Sequence, residues 1–414
     1  MPGGKMPAAL TRILVGRGLR SFADGFVALL LPIHLSRLGY GPAEVGLVAT
    51  ATLLGSAALT LGLGLAGHRM PLGRALAGAA MLMAATGLGF AGIEAFWPLL
   101  LVAFVGTINP SSGDVSVFLP LEHTLIAHLV GDTERTAVFA RYSLVGSVGS
   151  ALGALSIGTL HWFDRAAPGA ATQVLFALYG ALGLVTLLLY ARMPAAAPAA
   201  ATAPGSGGSL GPSRRRVWGL AALFSVDSFG GGFVVNSLLA LWLFERFGLS
   251  VATAGTIFFV TGLCSAVSYL VAVRLARRIG LVNTMVFTHL PANVLLILAA
   301  FAPSLPVAVT FLVLRSLLSQ MDVPARTSYV MAIVEPAERP AAASLTAVPR
   351  SLASALSPAL AGVMLGAGSF GWPLVCAGAL KIAYDLALLA CFHAVRPPEE
   401  RNPPGASDRA GSRP

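Results

Sequence analysis

The sequence predicts an all-α protein that crosses a membrane about twelve times, in two pseudo-symmetric six-helix halves. Three observations carry that reading. The chain is 56% hydrophobic and only 11% charged, with a mean hydropathy of +0.80, whereas soluble domains are about a quarter charged. Its apolar residues fall into runs long enough for a hydrocarbon core, which takes about 20 residues of helix. An Ala/Pro/Gly/Ser-rich tract at mid-chain divides these runs into two sets.

The first run, Leu19–Leu38, follows a basic start from Lys5 to Arg20 that resembles the opening of a signal peptide. No small-residue cleavage site interrupts it, so it reads as a spanning helix. Val45–Ala66 and Leu72–Ile93 follow as plain apolar runs. The fourth, Phe96–Leu125, carries Thr107-Ile108-Asn109-Pro110-Ser111-Ser112-Gly113-Asp114. That cluster predicts a kink or local unwinding, tolerated at membrane depth where protein or cavity water satisfies the freed carbonyls. The fifth, Ala140–Leu160, holds Gly146, Gly149, Gly153 and Gly158, which permit close helix packing. Val174–Ala191 is the sixth. The tract from Pro194 to Arg216, ending in Arg214-Arg215-Arg216, reads as a flexible linker. The second set is Val217–Phe244, Val251–Leu275, Val282–Phe301, Val307–Val334, Ala341–Leu365 and Trp372–Phe392. The expected organisation is a first half over 1–193, a linker over 194–216, a second half over 217–393 and a disordered tail over 394–414.

Lys and Arg are unevenly shared between alternate loops. One set holds Lys5, Arg12, Arg17, Arg69, Arg74, Arg135, Arg192 and the triple arginine among others, and the opposite set only Arg165 and Arg246, with Arg37 near that face. Positive residues are retained on the cytoplasmic side, so both termini and the linker are expected there. The net charge of +10 is thus a topology signal; no basic stripe with interleaved aromatics suggests nucleic acid. Cys264, Cys376 and Cys391 lie in apolar runs without metal-ligand spacing and read as small hydrophobes. No Walker loop, GxSxG or HExxH motif is present, so neither enzymatic activity nor a cofactor or metal is expected. Gly230-Gly231-Gly232 lacks the Gly-Lys-Ser/Thr that would make it a phosphate loop.

The two halves also repeat. Leu129-Val130-Gly131-Asp132-Thr133-Glu134-Arg135 aligns with Ile333-Val334-Glu335-Pro336-Ala337-Glu338-Arg339. In the same register Ser147, Ser150, Ala151 and Leu152 fall on Ser351, Ser354, Ala355 and Leu356. Acids sit inside the apolar runs at Asp24, Asp114, Asp227 and Asp322. An ionised carboxylate in hydrocarbon persists mainly where it faces a bundle interior or a wet cavity, so these mark a pathway. Arg315, Ser319, Asp322 and Arg326 share one helical face, and a local Asp322–Arg326 pair competes with a substrate role. Lys381 and Asp385, four apart, can satisfy each other. Arg350 reads as structural, and His34, His123 and His289 as hydrogen-bonded packing residues, although histidine can shuttle protons. Glu122 and Arg326 fall in the repeat register with opposite charge, which suggests a contact between the halves that opens and closes. The competing reading pairs Glu122 with Arg141 and Arg326 with Asp322.

Gly64-Leu65-Ala66-Gly67-His68-Arg69, followed by Gly73-Arg74, is similar to the glycine/acid/arginine loop of the major facilitator superfamily, with His68 in the acidic place. Two like-oriented six-helix halves match that family's arrangement, and the whole chain resembles a bacterial member. The family's helix-five Gly-Pro signature is absent, and Pro358 lies in helix eleven. The resemblance implies that helices one, four, seven and ten, which hold Asp24, Asp114, Asp227 and Asp322, surround a central cavity. It implies secondary transport of a small solute by alternating access; the expected carrier is proton-driven and exports its solute, although no motif sets the direction. A monomer in a bacterial inner membrane is expected. Asp24 and Asp227 are then the proton-coupling candidates; Asn109, Ser111, Asp114, Arg315 and Asp322 the substrate-cavity candidates; and Glu122 and Arg326 the cytoplasmic gate candidates. The alternatives are a uniporter or uptake carrier for an anionic metabolite, anchored by Arg315, and a sensor or assembly factor that keeps the fold without transport.

Overall fold

The computed structural model describes residues 8–66, 70–111, 116–130, 132–166, 169–193, 211, 213–335 and 338–393, without the side chains of 64–66, 132–137, 273 and 340. Asp114, the 67–69 part of the glycine/arginine loop, most of the linker and the tail lie outside the described residues.

The first half comprises α1 (Ala8–Arg37), α2 (Pro42–Ala66), α3 (Leu72–Gly92), α4 (Phe96–Val105), α5 (Phe118–Leu129), α6 (Asp132–Ser156), α7 (Leu160–Ala166) and α8 (Ala171–Ala191). The second comprises α9 (Arg214–Gly232), α10 (Asn236–Phe247), α11 (Val251–Ile279), α12 (Leu281–Ala300), α13 (Leu305–Leu318), α14 (Asp322–Ile333), α15 (Arg339–Gly366) and α16 (Trp372–Phe392). Among the described residues, ten segments are long and apolar enough to cross a membrane. The other two expected spans are α1, which carries Arg12, Arg17, Arg20 and Asp24, and the interrupted α4–α5 segment. Large apolar side chains cover the outside, among them Leu101, Leu88, Met81 and Val363, as hydrocarbon contact requires. Trp97, Trp162, Trp218 and Trp372 are more than half exposed near segment ends, where amphipathic rings favour a membrane interface.

Two boundaries differ from the sequence reading. Helix α1 starts at Ala8, well before Leu19, and Arg17 and Arg20 within it are 7% and 2% exposed. Arg17 is therefore a bundle-interior cation, where the loop-charge pattern assigned it to the flank. Helix α9 starts at Arg214, so the triple arginine belongs to a helix and not to the linker. Apolar length marks the hydrocarbon core, and a helix continues beyond it wherever its backbone bonds are satisfied. Beside this start, hydrogen bonds from Ser213 and the Gly211 amide hold the Glu338 carboxyl below its ordinary range. They tie the second half's entry to the turn before α15.

The segments that correspond to helices four, seven and ten are broken, between α4 and α5, α9 and α10, and α13 and α14. In the first break, Asn109 Oδ1 accepts from the Ser111 amide (3.1 Å) and hydroxyl (2.7 Å). The Pro110 carbonyl accepts from the Ser237 amide (3.0 Å), and the Ser237 hydroxyl also donates to Ala28 O (2.6 Å). The first turn of α10 thus satisfies backbone that the break sets free, across the boundary between the halves.

Close packing joins the elements. A Cβ at Gly153 of α6 would lie 1.9 Å from Phe22 O of α1, which supports the packing reading of the α6 glycines. Between the halves α2 crosses α15, where a Cβ at Gly46 would lie 2.4 Å from Pro358 O and one at Gly362 2.4 Å from Pro42 O. Thr50 Oγ1 accepts from the Ala359 amide there (3.0 Å). This crossing lies on the face where α1 ends, called here the far face; the face where α1 begins is the N-terminal face.

Candidate functional site

A cavity of about 960 Å³ lies between the halves, of a size that suits a small-molecule ligand. Its lining runs from Gly25, Leu29 and Asn236 at mid-depth to Arg17, His123, Arg326 and Ala343 toward the N-terminal face. The far face is joined by the α2–α15 crossing, and the Ser237 bonds join the halves beneath it at mid-depth. Ser147 and Ser351, and Ser150 and Ser354, the serine pairs that aligned the repeats, all line the cavity. The repeat register therefore corresponds to a two-sided wall of hydroxyls.

Among the described residues each half holds a buried ionic cluster behind the lining, the second reaching the cavity through Arg326. In the first, Glu122 is fully buried and accepts hydrogen bonds from Arg20, Tyr142 and Tyr190. The Arg20 guanidinium stacks 4.0 Å from the Phe118 ring centroid. In the second, Asp227 accepts from Lys381 Nζ (2.7 Å) and Arg326 Nη2 (2.8 Å), and Arg326 also donates to Asp322. His289 Nε2 lies 3.7 Å from Asp227, and its Nδ1 is 2.9 Å from Asp385 Oδ1. Asn293 Nδ2 adds a bond to Asp385 (3.3 Å). A Cβ at Gly230 would meet Lys381 Cγ at 3.1 Å, so the first glycine of the triplet clears the path by which Lys381 reaches α9.

These clusters correct several readings. In this structure, whose cavity is lined toward the N-terminal face, Glu122 and Arg326 do not meet across the halves, which is also what a gate open on that face would show. Each ties the fourth segment of its own half to the first, Glu122 to Arg20 of α1 and Arg326 to Asp227 of α9. Pseudo-equivalent positions do equivalent work with the charges reversed, and in this state Glu122 is engaged by three donors of its own half. Its local partner is Arg20, not Arg141. Lys381 and Asp385 do not satisfy each other, because Lys381 turns to Asp227 and Asp385 to His289. Asp227 is 3% exposed beneath two cations and absent from the lining. A proton would have to displace a salt bridge there, which argues against a coupling role. Asp322, at 2% exposure, and Asn109, at 1%, are likewise behind the wall and not in it.

Ser111 and Arg315 of the substrate set do line the cavity. Asp24 lies one residue before the lining residue Gly25, with Arg20 and Arg17 as its charged neighbours and Tyr179 nearby. The sequence reading missed Arg20 and Tyr190 as partners of Glu122. It also treated Arg17 and Arg350 as peripheral or structural, although both line the cavity. The 17, 20, 24 spacing on one helical face was the available signal.

Comparisons with known proteins agree with this geometry. The family model described as Major Facilitator Superfamily matches residues 13–230 and 220–414. An uncharacterized membrane protein of Saccharomyces cerevisiae, YJR124C, is 26% identical over 410 residues, covering 90% of this chain and 91% of that protein. Among solved structures, a bacterial homologue of the iron transporter ferroportin in an inward-facing state superposes with a TM-score of 0.74 at 14% identity, over 94% of this chain and 99% of that one. The nucleoside transporter NupG gives 0.70 at 16% identity, over 94% and 99%. With a family model spanning both halves, this chain is a member of the Major Facilitator Superfamily of membrane transporters.

Proposed function

We propose that the protein is a proton-driven secondary carrier that exports a small solute by alternating access, working as a monomer in a bacterial inner membrane with its N-terminal face toward the cytoplasm. The observation that carries this reading is the cavity between the halves, lined toward one face and joined at the other. Halves that rock about such a site expose it to each side in turn. The arginine asymmetry of the loops supports the orientation. Asp24 is the proton-coupling residue: it adjoins the lining, and Arg20 beside it is already engaged by Glu122. A proton bound or released there changes the net charge next to the cavity.

The test is flux in proteoliposomes for a panel of anionic, cationic and neutral solutes, with and without an imposed pH gradient. The wild-type protein is expected to move at least one of them faster with the gradient. Asp24→Asn is expected to lose gradient-driven flux by about tenfold or more while retaining solute exchange, since the titrating group is removed and the cavity is kept. Absence of flux for every solute would contradict the carrier reading, and gradient-driven flux unchanged in Asp24→Asn would contradict the residue's role.

A further inference from the structure

The charges of the cavity are out of balance. Its described lining carries Arg17, Arg315, Arg326, Arg350 and His123 and no carboxylate; Asp114 lies outside the described residues. Arg326 is held by Asp227 and Asp322, and Arg17 has Asp24 as a charged neighbour and stacks 4.8 Å from the Tyr142 ring centroid. Arg315 and Arg350 make no ion pair among the described residues. The Nε of Arg315 is buried without a hydrogen-bond partner among the described residues, and Thr310 alone interrupts the apolar run of α13 before it. Arg315 and Arg350 are half-buried side chains that reach the cavity, and a cation at membrane depth is costly unless cavity water or an anion meets it. It persists most readily where a bound partner supplies the missing charge.

We infer that the solute is a small organic oxyanion, a carboxylate or a phosphate ester, held in the cavity by Arg315 with Arg350 as second cation. This rests on the carrier reading and names its substrate class. A guanidinium presents a planar fork of donors that matches both groups bidentately. Hydroxyls of Ser147, Ser150, Ser351 and Ser354 stand on the two walls to meet the remaining oxygens. The inference also gives the export direction a physical basis: an inside-negative membrane potential drives an anion outward, and inward-moving protons add to the same force.

The experiment measures the thermal unfolding midpoint of the full-length protein in detergent with malate, glucose 6-phosphate, choline or maltose, and flux of the same compounds in proteoliposomes. Malate or glucose 6-phosphate is expected to raise the midpoint, the two arms separating carboxylate from phosphate, while choline and maltose leave it unchanged. Arg315→Gln and Arg350→Gln are each expected to weaken that anion's apparent binding by about tenfold or more, and Arg315→Lys by less, since charge is kept and the fork lost. Two results would overturn the proposal: neither anion protects, or protection is undiminished in both glutamine variants. Flux of choline or maltose without anion protection would reject the substrate class and leave the carrier intact. Arginine-dependent anion protection without flux of any compound would uphold the class and reject the carrier.

Discussion

Replacing Asp227 with alanine is expected to destabilise the second half by about 3–5 kcal/mol, the cost of leaving buried charge without its partner. Asp227 is the meeting point of Lys381 and Arg326, one from α16 and one from α14, and all three are nearly inaccessible. Among the described residues, removal leaves Lys381 with no carboxylate and Arg326 with Asp322 alone. The measurement is the unfolding midpoint in detergent for the single variants Asp227→Ala and Lys381→Met and for the double variant that combines them. Because the pair acts as a unit, the double variant is expected to recover much of the loss. Additive losses would show that the two residues stabilise the bundle separately.

The second large effect is at the crossing of α2 and α15. Leucine at Gly46 cannot fit while Pro358 O and the Gly362 backbone stand where its side chain must begin. The joined far face becomes strained, and the equilibrium moves toward the state in which that face parts and the N-terminal face closes. The expected shift is at least about 1.4 kcal/mol, or tenfold in the ratio of the two states. A single cysteine at Ser147, in a background lacking Cys264, Cys376 and Cys391, reports it. Its reaction with a membrane-impermeant thiol reagent supplied from the N-terminal face should slow by about tenfold when Gly46→Leu is added. Unchanged reactivity would mean that the crossing absorbs the side chain without opening.

The fold was legible because bilayer chemistry is severe: runs of apolar residues, a polar mid-chain tract and a basic bias in alternate loops each have few explanations. The break after Val105 was legible for the same reason, since Asn109-Pro110-Ser111 cannot continue a lipid-facing helix. The serine register of the repeats reported real symmetry. What the register could not report was the partner of each charge. Glu122 and Arg326 align, and a contact between them followed naturally from the sequence. The pairs that form instead, with Arg20 and Asp227, depend on which helix packs behind which. Lys381 offers the same lesson, because a lysine stem spans several ångströms and the space cleared by Gly230 decides its direction. Buried arginines were the hardest to read. Arg17 and Arg20 follow a basic start, and in sequence nothing separates a flanking cation from one that the helix carries into the bundle.

Alternating access is tested most directly by paired distances between spin labels, one pair spanning each mouth of the cavity. Ser143 of α6 and Thr327 of α14 are exposed near the N-terminal face, and Ser36 of α1 and Ser250 before α11 are exposed near the far face. Double electron–electron resonance on the labelled pairs, in the wild type and in Gly46→Leu, gives both distances in the same protein. The expected result is a reciprocal change: in Gly46→Leu the Ser143–Thr327 distance shortens while the Ser36–Ser250 distance lengthens. Two distances that stay fixed, or that change in the same direction, would contradict a carrier whose halves rock about a central site.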